Sequence, residues 1–125
     1  NLTVFYKHIP IGSISVKGDN FSNRKELATG SWILKNYRGR GFGREARSGV
    51  LAFGFEKLEA ATFVSDAHKD NLKSERVSLS LGYKENGLRT AHEPLDLKRY
   101  LLVKEDWVNE IPIEVKGFKH CKDLF

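Results

Sequence analysis

The residues best suited to chemistry form one run, Arg38-Gly39-Arg40-Gly41-Phe42-Gly43-Arg44. Glycines at alternate positions let the backbone turn sharply and approach a ligand closely. The run follows a strand-like segment and opens a helix-like one, so several amide N–H groups are left without intrahelical partners. The helix dipole adds roughly half a positive charge at that end. Together these groups make a site for a diphosphate, to which Arg38, Arg40 and Arg44 add charge-assisted hydrogen bonds. On the glycines alone, a plain loop leading into a helix is the simpler reading. Two familiar phosphate motifs do not match. A P-loop needs Gly-Lys-Ser/Thr, whereas Gly43 is followed by Arg44-Glu45. The dinucleotide fingerprint needs its third glycine three residues after the second, and Gly41-Phe42-Gly43 breaks that spacing.

Bulk properties narrow the partners. The net charge of +5 favours an anion. Arg38, Arg40, Arg44 and Arg47 cluster in one short stretch, which is a local anion site. A basic stripe with interleaved exposed aromatics is lacking, so nucleic acid is not the expected partner. The 125 residues suit one domain. No apolar run approaches the roughly 18 residues of a membrane span, and no secretory leader is evident. The one cysteine, Cys121, cannot form an internal disulfide, which fits a reducing compartment, and a cytoplasmic location is expected. His8, His92 and His120 are scattered, so no metal is expected. There is no methionine, which suggests a segment of a longer gene product.

The elements that must position the glycine run read as follows. Leu2 to His8 and Ile11 to Lys17 form a hairpin about a turn at Ile9-Pro10, with Ile11, Ile14 and Val16 in the core. Residues 19 to 25 read as a loop. Glu26 to Leu34 is a third strand, with Leu27, Thr29, Ser31 and Ile33 on one face and Ala28, Gly30, Trp32 and Leu34 on the other. Gly30 marks a bulge or a close backbone approach. Gly43 to Glu59 is an amphipathic helix. Thr62 to Ser65 is a short strand. Asp70-Asn71 caps a helix over Ser74 to Leu81 that ends at Gly82. Tyr83 to Gly87 and Leu97 to Lys104 are the last strands, joined by a polar loop holding His92 and Pro94. The order β-β-β-α-β-α-β-β predicts an α+β fold, a mixed, mainly antiparallel sheet flanked by helices.

Three segments carry a family resemblance. Gly30 to Ala46 resembles motif A of the GNAT superfamily of N-acyltransferases, whose pyrophosphate turn reads Arg/Gln-x-x-Gly-x-Gly/Ala. Asp70 to Tyr83 is similar to the Asn-x-x-Ser…Leu-Gly-Phe/Tyr stretch of its RimJ/RimL-like subfamily. Tyr100 to Trp107 looks like that subfamily's closing strand. The resemblance covers about residues 1 to 107, leaving residues 107 to 125 as a C-terminal extension of a single domain. The strand and two helices that open the family fold, and supply one wall of the acceptor pocket, have no counterpart.

The resemblance implies acyl transfer from acetyl-CoA, or another acyl-CoA, to a primary amine by direct attack. It implies that the backbone at Trp32, Ile33 and Leu34 pairs with the pantetheine arm. The pyrophosphate would sit on Arg38, Gly39, Arg40, Gly41, Phe42, Gly43 and Arg44. Asn71 would bond the pantetheine amide, with Ser74 near the cofactor; both equally suit a helix cap. Many RimL-like members carry Glu where this chain has Ala28, so Glu26, on the same strand face, is a substitute base. Ser78 stands where many members carry a thiolate-protonating Tyr. His68 is a further candidate base. A possible homodimer would cover an edge left open by the absent elements. The alternative reading is a truncated, catalytically poor acyl-CoA-binding module, distinguished by binding without turnover.

Overall fold

The computed structural model describes residues 1–90 and 96–118. His92, Pro94, His120 and Cys121 lie outside the described residues. Nine elements follow in order: β1 (Leu2–Tyr6), β2 (Ile9–Lys17), α1 (Phe21–Arg24), β3 (Glu26–Ile33), α2 (Phe42–Ala52), β4 (Thr62–His68), α3 (Leu72–Ser80), β5 (Lys84–Thr90) and β6 (Asp96–Val103). They build a six-stranded sheet in the order β1-β2-β3-β4-β6-β5. All neighbours are antiparallel except β3 and β4, which run parallel. The α+β architecture is as the sequence predicts.

Three local expectations change. The first hairpin turns at Lys7-His8, not at Ile9-Pro10. Both turn residues have positive φ, 48° and 67°, which matches the right-handed twist of a two-residue hairpin. Pro10 instead lies in β2 opposite Phe5, beside an irregularity in the ladder where a missing N–H is tolerated. The loop over 19 to 25 contains α1, which buries Phe21. Gly30 pairs in regular register with Ser15, so it makes a close approach and no bulge: an added Cβ would lie 3.2 Å from Ser15 Oγ.

The core lies between one sheet face and α2. Leu27, Phe63 and Leu102, from three adjacent strands, are fully buried, and Leu51 and Phe55 meet them from above. Burial of each such side chain contributes about 1.5–3 kcal/mol. After Ala52 the helix widens into a π-helical turn, Phe53–Lys57. Gly54 there presses against Phe63, and an added Cβ would clash with that ring. The Phe55 ring packs on Phe63 and on Trp107, each with centroids 5.1 Å apart. Contacts in the first turn of α2 and in the π-helical turn after it fix the helix along β3: Gly43 lies beside Ile33, and Gly54 beside Leu27. Among the described residues no helix is long and apolar enough to cross a membrane, and no group of His, Cys, Asp and Glu could hold a metal ion.

Candidate functional site

β3 and β4 pair over only three residues each, Glu26 to Ala28 with Thr62 to Val64. Beyond that point β3 stays with β2 as far as Ile33, and β4 stays with β6 as far as His68. The two strands therefore part from Thr29 and Ser65 onward, leaving a wedge. At its closed end is a cavity of about 300 Å³, bounded by Thr29, Ser65, Asp66, His68 and Leu97. It continues into a groove of about 440 Å³ along Trp32, Ile33, Arg38, Gly43 and Lys73. Ser31, Arg47, Asn71 and Ser74 line both.

Backbone pairing decides what β3 can offer along this groove. The Leu34 N–H donates to Ile11 O at 2.7 Å. Strand alternation then turns the Trp32 N–H toward β2 as well, and leaves those of Ser31 and Ile33 on the open edge. Of the three residues expected to pair with a ligand, Ile33 alone presents its backbone to the groove. Trp32 and Leu34 contribute exposed apolar side chains, 56% and 43% accessible.

The glycine run closes the outer end of the groove. Gly39 and Gly41 have φ of 76° and 83°, a region that glycine enters without strain. Gly41 is the N-cap of α2, and no side chain caps the helix. Nothing lies within 4 Å of an added Cβ at Gly39 or Gly41, so the turn faces open space. Its three arginines diverge. Arg38 lines the groove and anchors itself through Nε to Ile33 O at 2.7 Å. Arg40 stacks on Tyr6, Tyr37 and Phe42, 5.0 to 5.9 Å from the ring centroids. Arg44 donates two hydrogen bonds to the Glu110 carboxylate, at 2.7 and 2.8 Å, and one to Ser80 Oγ. Its hydrogen bond and charge hold Glu110 below the usual carboxylate range, and Glu110 in turn raises Arg44. Arg38 alone of the three lines the groove; Lys73, which the sequence reading did not single out, joins it there.

The opposite rim is the start of α3. Asn71 Oδ1 accepts the Ser74 N–H at 3.2 Å, so Asn71 is the N-cap. Its Nδ2 is not used in that cap, and both Asn71 and Ser74 border the groove. Cap and ligand contact are thus compatible in one side chain.

Residues 2–84 match the model of the acetyltransferase (GNAT) domain family. The chain belongs to the GNAT acetyltransferase family. A Bacillus subtilis (strain 168) protein named as a ribosomal N-acetyltransferase, YdaF, is 32% identical over 106 residues, which is 79% of this chain and 56% of that protein. A solved structure described as a probable acetyltransferase superposes with a TM-score of 0.73 at 28% identity, covering 82% of this chain and 60% of its own. A Vibrio cholerae structure described as a ribosomal-protein-serine acetyltransferase has the same fold, with a TM-score of 0.66 at 22% identity, covering 78% of this chain and 58% of its own. The chain spans a little over half the length of these relatives. The name of the Bacillus relative agrees with the RimJ/RimL-like resemblance of the segment from Asp70 to Tyr83.

Within this GNAT frame the three candidate catalytic side chains separate. Glu26 is on the far face of the sheet, in a cavity of about 660 Å³ shared with Lys17, Asp19, Arg24, Ala28 and Arg99. Arg24 Nη2 donates to its Oε1 at 3.3 Å. His68 borders the wedge, but its Nδ1 accepts the Asp70 N–H at 3.2 Å. A neutral ring held this way carries its proton on Nε2. Ser78 is fully buried, and its Oγ accepts Arg47 Nη1 at 3.2 Å. It therefore positions Arg47 and does not face the groove.

Two residues bordering the wedge were not singled out as site residues from sequence. Arg47 is 6% exposed, with its guanidinium 5.0 Å from the Tyr83 ring centroid. Its position was readable: Gly43, Arg47, Val50, Leu51 and Gly54 form one helical stripe, so a charge at 47 falls on the packed face. Asp66 borders the wedge and accepts Arg99 Nε at 3.2 Å, while Arg99 borders the far-face cavity. Asp66 and Arg99 are cross-strand partners on one face of the sheet, and the pair links the two cavities.

Proposed function

We propose that the chain binds acyl-CoA along this groove and transfers its acyl group to a primary amine. The observation that carries the reading is the groove itself, running from an uncapped, glycine-opened helix start down a strand edge left open where β3 and β4 part. The diphosphate would take the amides at the start of α2, with Arg38 and Lys73 as counter-charges. Pantetheine would pair with the Ser31 and Ile33 edge as an added strand, under Trp32, with Asn71 Nδ2 on the other side. The amine nitrogen attacks the thioester carbon, the C–N bond forms, the C–S bond breaks and coenzyme A leaves as its thiol.

The amine arrives from the far face, where Lys17, Arg24 and Arg99 outnumber Asp19 and Glu26, and Arg24 pairs with both acids. Among the described residues that surface has no unpaired acid cluster for a polycation. A peptide N-terminus, with one amine and several carbonyl acceptors, suits it better. Asp66, at the boundary of the two cavities, attracts the ammonium and relays to the leaving sulfur the proton that the attacking nitrogen loses. Calorimetric titration with coenzyme A and acetyl-CoA tests the binding reading. Turnover with peptides and polyamines tests the acceptor. Asp66→Asn is expected to lower kcat and alter the pH profile of kcat/KM; an unaltered profile removes Asp66 from the proton path. Binding without transfer to any amine would favour the acyl-CoA-binding module, a reading that rests on Glu26, His68 and Ser78 each being engaged elsewhere.

A further inference from the structure

Arg47 is the one charged side chain among the described residues that is buried. Its Nη1 is satisfied by Ser78 and its face by Tyr83, but Nη2 has no hydrogen-bond partner. No carboxylate among the described residues forms an ion pair with it. A guanidinium held in this state costs stability unless an anion meets it.

Its depth says which part of a ligand it would meet. Arg47 is five residues into α2, roughly 7.5 Å along the axis from the helix start. It lines both the groove and the cavity of about 300 Å³ at the closed end of the wedge, the end farthest from the glycine turn. Thr29 Oγ1, at the same end, is also buried without a partner, and the Ser65 side chain is buried there too. An aliphatic acyl chain would leave Nη2 and the Thr29 hydroxyl without a partner. A carboxylate would satisfy both.

We propose that this cavity takes the acyl group of a short dicarboxylic acyl-CoA, whose distal carboxylate pairs with Arg47 Nη2 and the Thr29 hydroxyl. This inference rests on the acyl-CoA reading above. The chain would then transfer a carboxyacyl group: the amine nitrogen bonds to the thioester carbon, the C–S bond breaks, coenzyme A leaves as the thiol with the proton lost by nitrogen, and the distal carboxylate is unchanged. A cationic amine becomes an amide bearing a negative charge.

The test is calorimetric titration with coenzyme A, acetyl-CoA, succinyl-CoA and 4-methylpentanoyl-CoA, an uncharged near-isostere of the succinyl thioester. Succinyl-CoA is expected to bind at least about tenfold tighter than the isostere. In Arg47→Met that ratio should fall to about one or invert, while Arg47→Lys should retain part of it. If Arg47→Met does not fold, the wild-type ratio decides. Equal binding of succinyl-CoA and its isostere to the wild-type chain overturns this inference and leaves the cofactor reading intact. Failure of coenzyme A itself to bind overturns both.

Discussion

Two helices begin on the same groove, and they begin in opposite ways. α3 is closed: the Asn71 side chain accepts the Ser74 N–H and satisfies its own helix start. α2 is open: Gly41 caps it with no side chain, at a φ of 83° that holds the first amides outward. The fold has ordinary means of closing a helix and uses them one strand away. Leaving α2 open exposes unpaired N–H groups and the positive end of a dipole, which an anionic ligand can satisfy. The closed helix contributes a fixed side chain, and the open one contributes backbone.

The comparison breaks most decisively at Gly41. Gly41→Glu is expected to weaken coenzyme A binding by at least about 100-fold, since the carboxylate would face the diphosphate and compete for the same amides. The chain should still fold, because no atom lies within 4 Å of an added Cβ, although a left-handed φ costs a non-glycine residue about 1–2 kcal/mol. Gly41→Ala isolates that strain: stability should fall by about 1 kcal/mol, with a much smaller loss of binding. Equal binding by Gly41→Glu and the wild-type chain, measured by titration, would remove the diphosphate from this turn.

The open helix start was legible in the sequence because glycine spacing and the strand-to-helix change are local signals. So were the order of the six strands along the chain and the Asn71 cap. What escaped was fixed by distant partners. Ile9-Pro10 carries the stronger local turn signal, whereas Lys7 and His8, which form the turn, carry none. The π-helical turn after Ala52 depends on Gly54 meeting Phe63 across the core. Arg44 reads as a phosphate ligand until Glu110, 66 residues on, is placed beside it. Arg47 was counted only as part of a basic cluster, because net charge suggests a solvated face more readily than a buried stripe.

Asn71 sharpens the contrast, because one side chain carries both roles on separate atoms. Asn71→Ala removes the cap and should lower stability by about 1 kcal/mol, read from thermal or urea unfolding. Asn71→Asp keeps an acceptor for the Ser74 N–H and should leave stability near that of the wild-type chain. It loses the Nδ2 donor, so coenzyme A binding should weaken by about tenfold. If Asn71→Asp binds as tightly as the wild-type chain, the Asn71 side chain serves only as the cap of α3, and its Nδ2 makes no contact with the cofactor.

The smallest expected effect concerns what secures the open helix from outside. Arg44, in the first turn of α2, is tied to Glu110 of the C-terminal segment, both side chains being a little more than one-third exposed. A double-mutant cycle of Arg44→Ala and Glu110→Ala should give a coupling of about 0.5 kcal/mol or less, as for other solvent-screened pairs. The hydrogen bond from Arg44 lowers the Glu110 carboxyl below its value in the unfolded chain. The unfolded chain therefore takes up that proton first as pH falls. The coupling should be complete above the ordinary carboxylate range near pH 4.3 and fade as pH drops through the lowered folded value. Added salt should weaken it at neutral pH. A coupling that persists in strong acid would mean that the C-terminal segment is held to α2 by Phe118 on Phe53 and not by this charge pair.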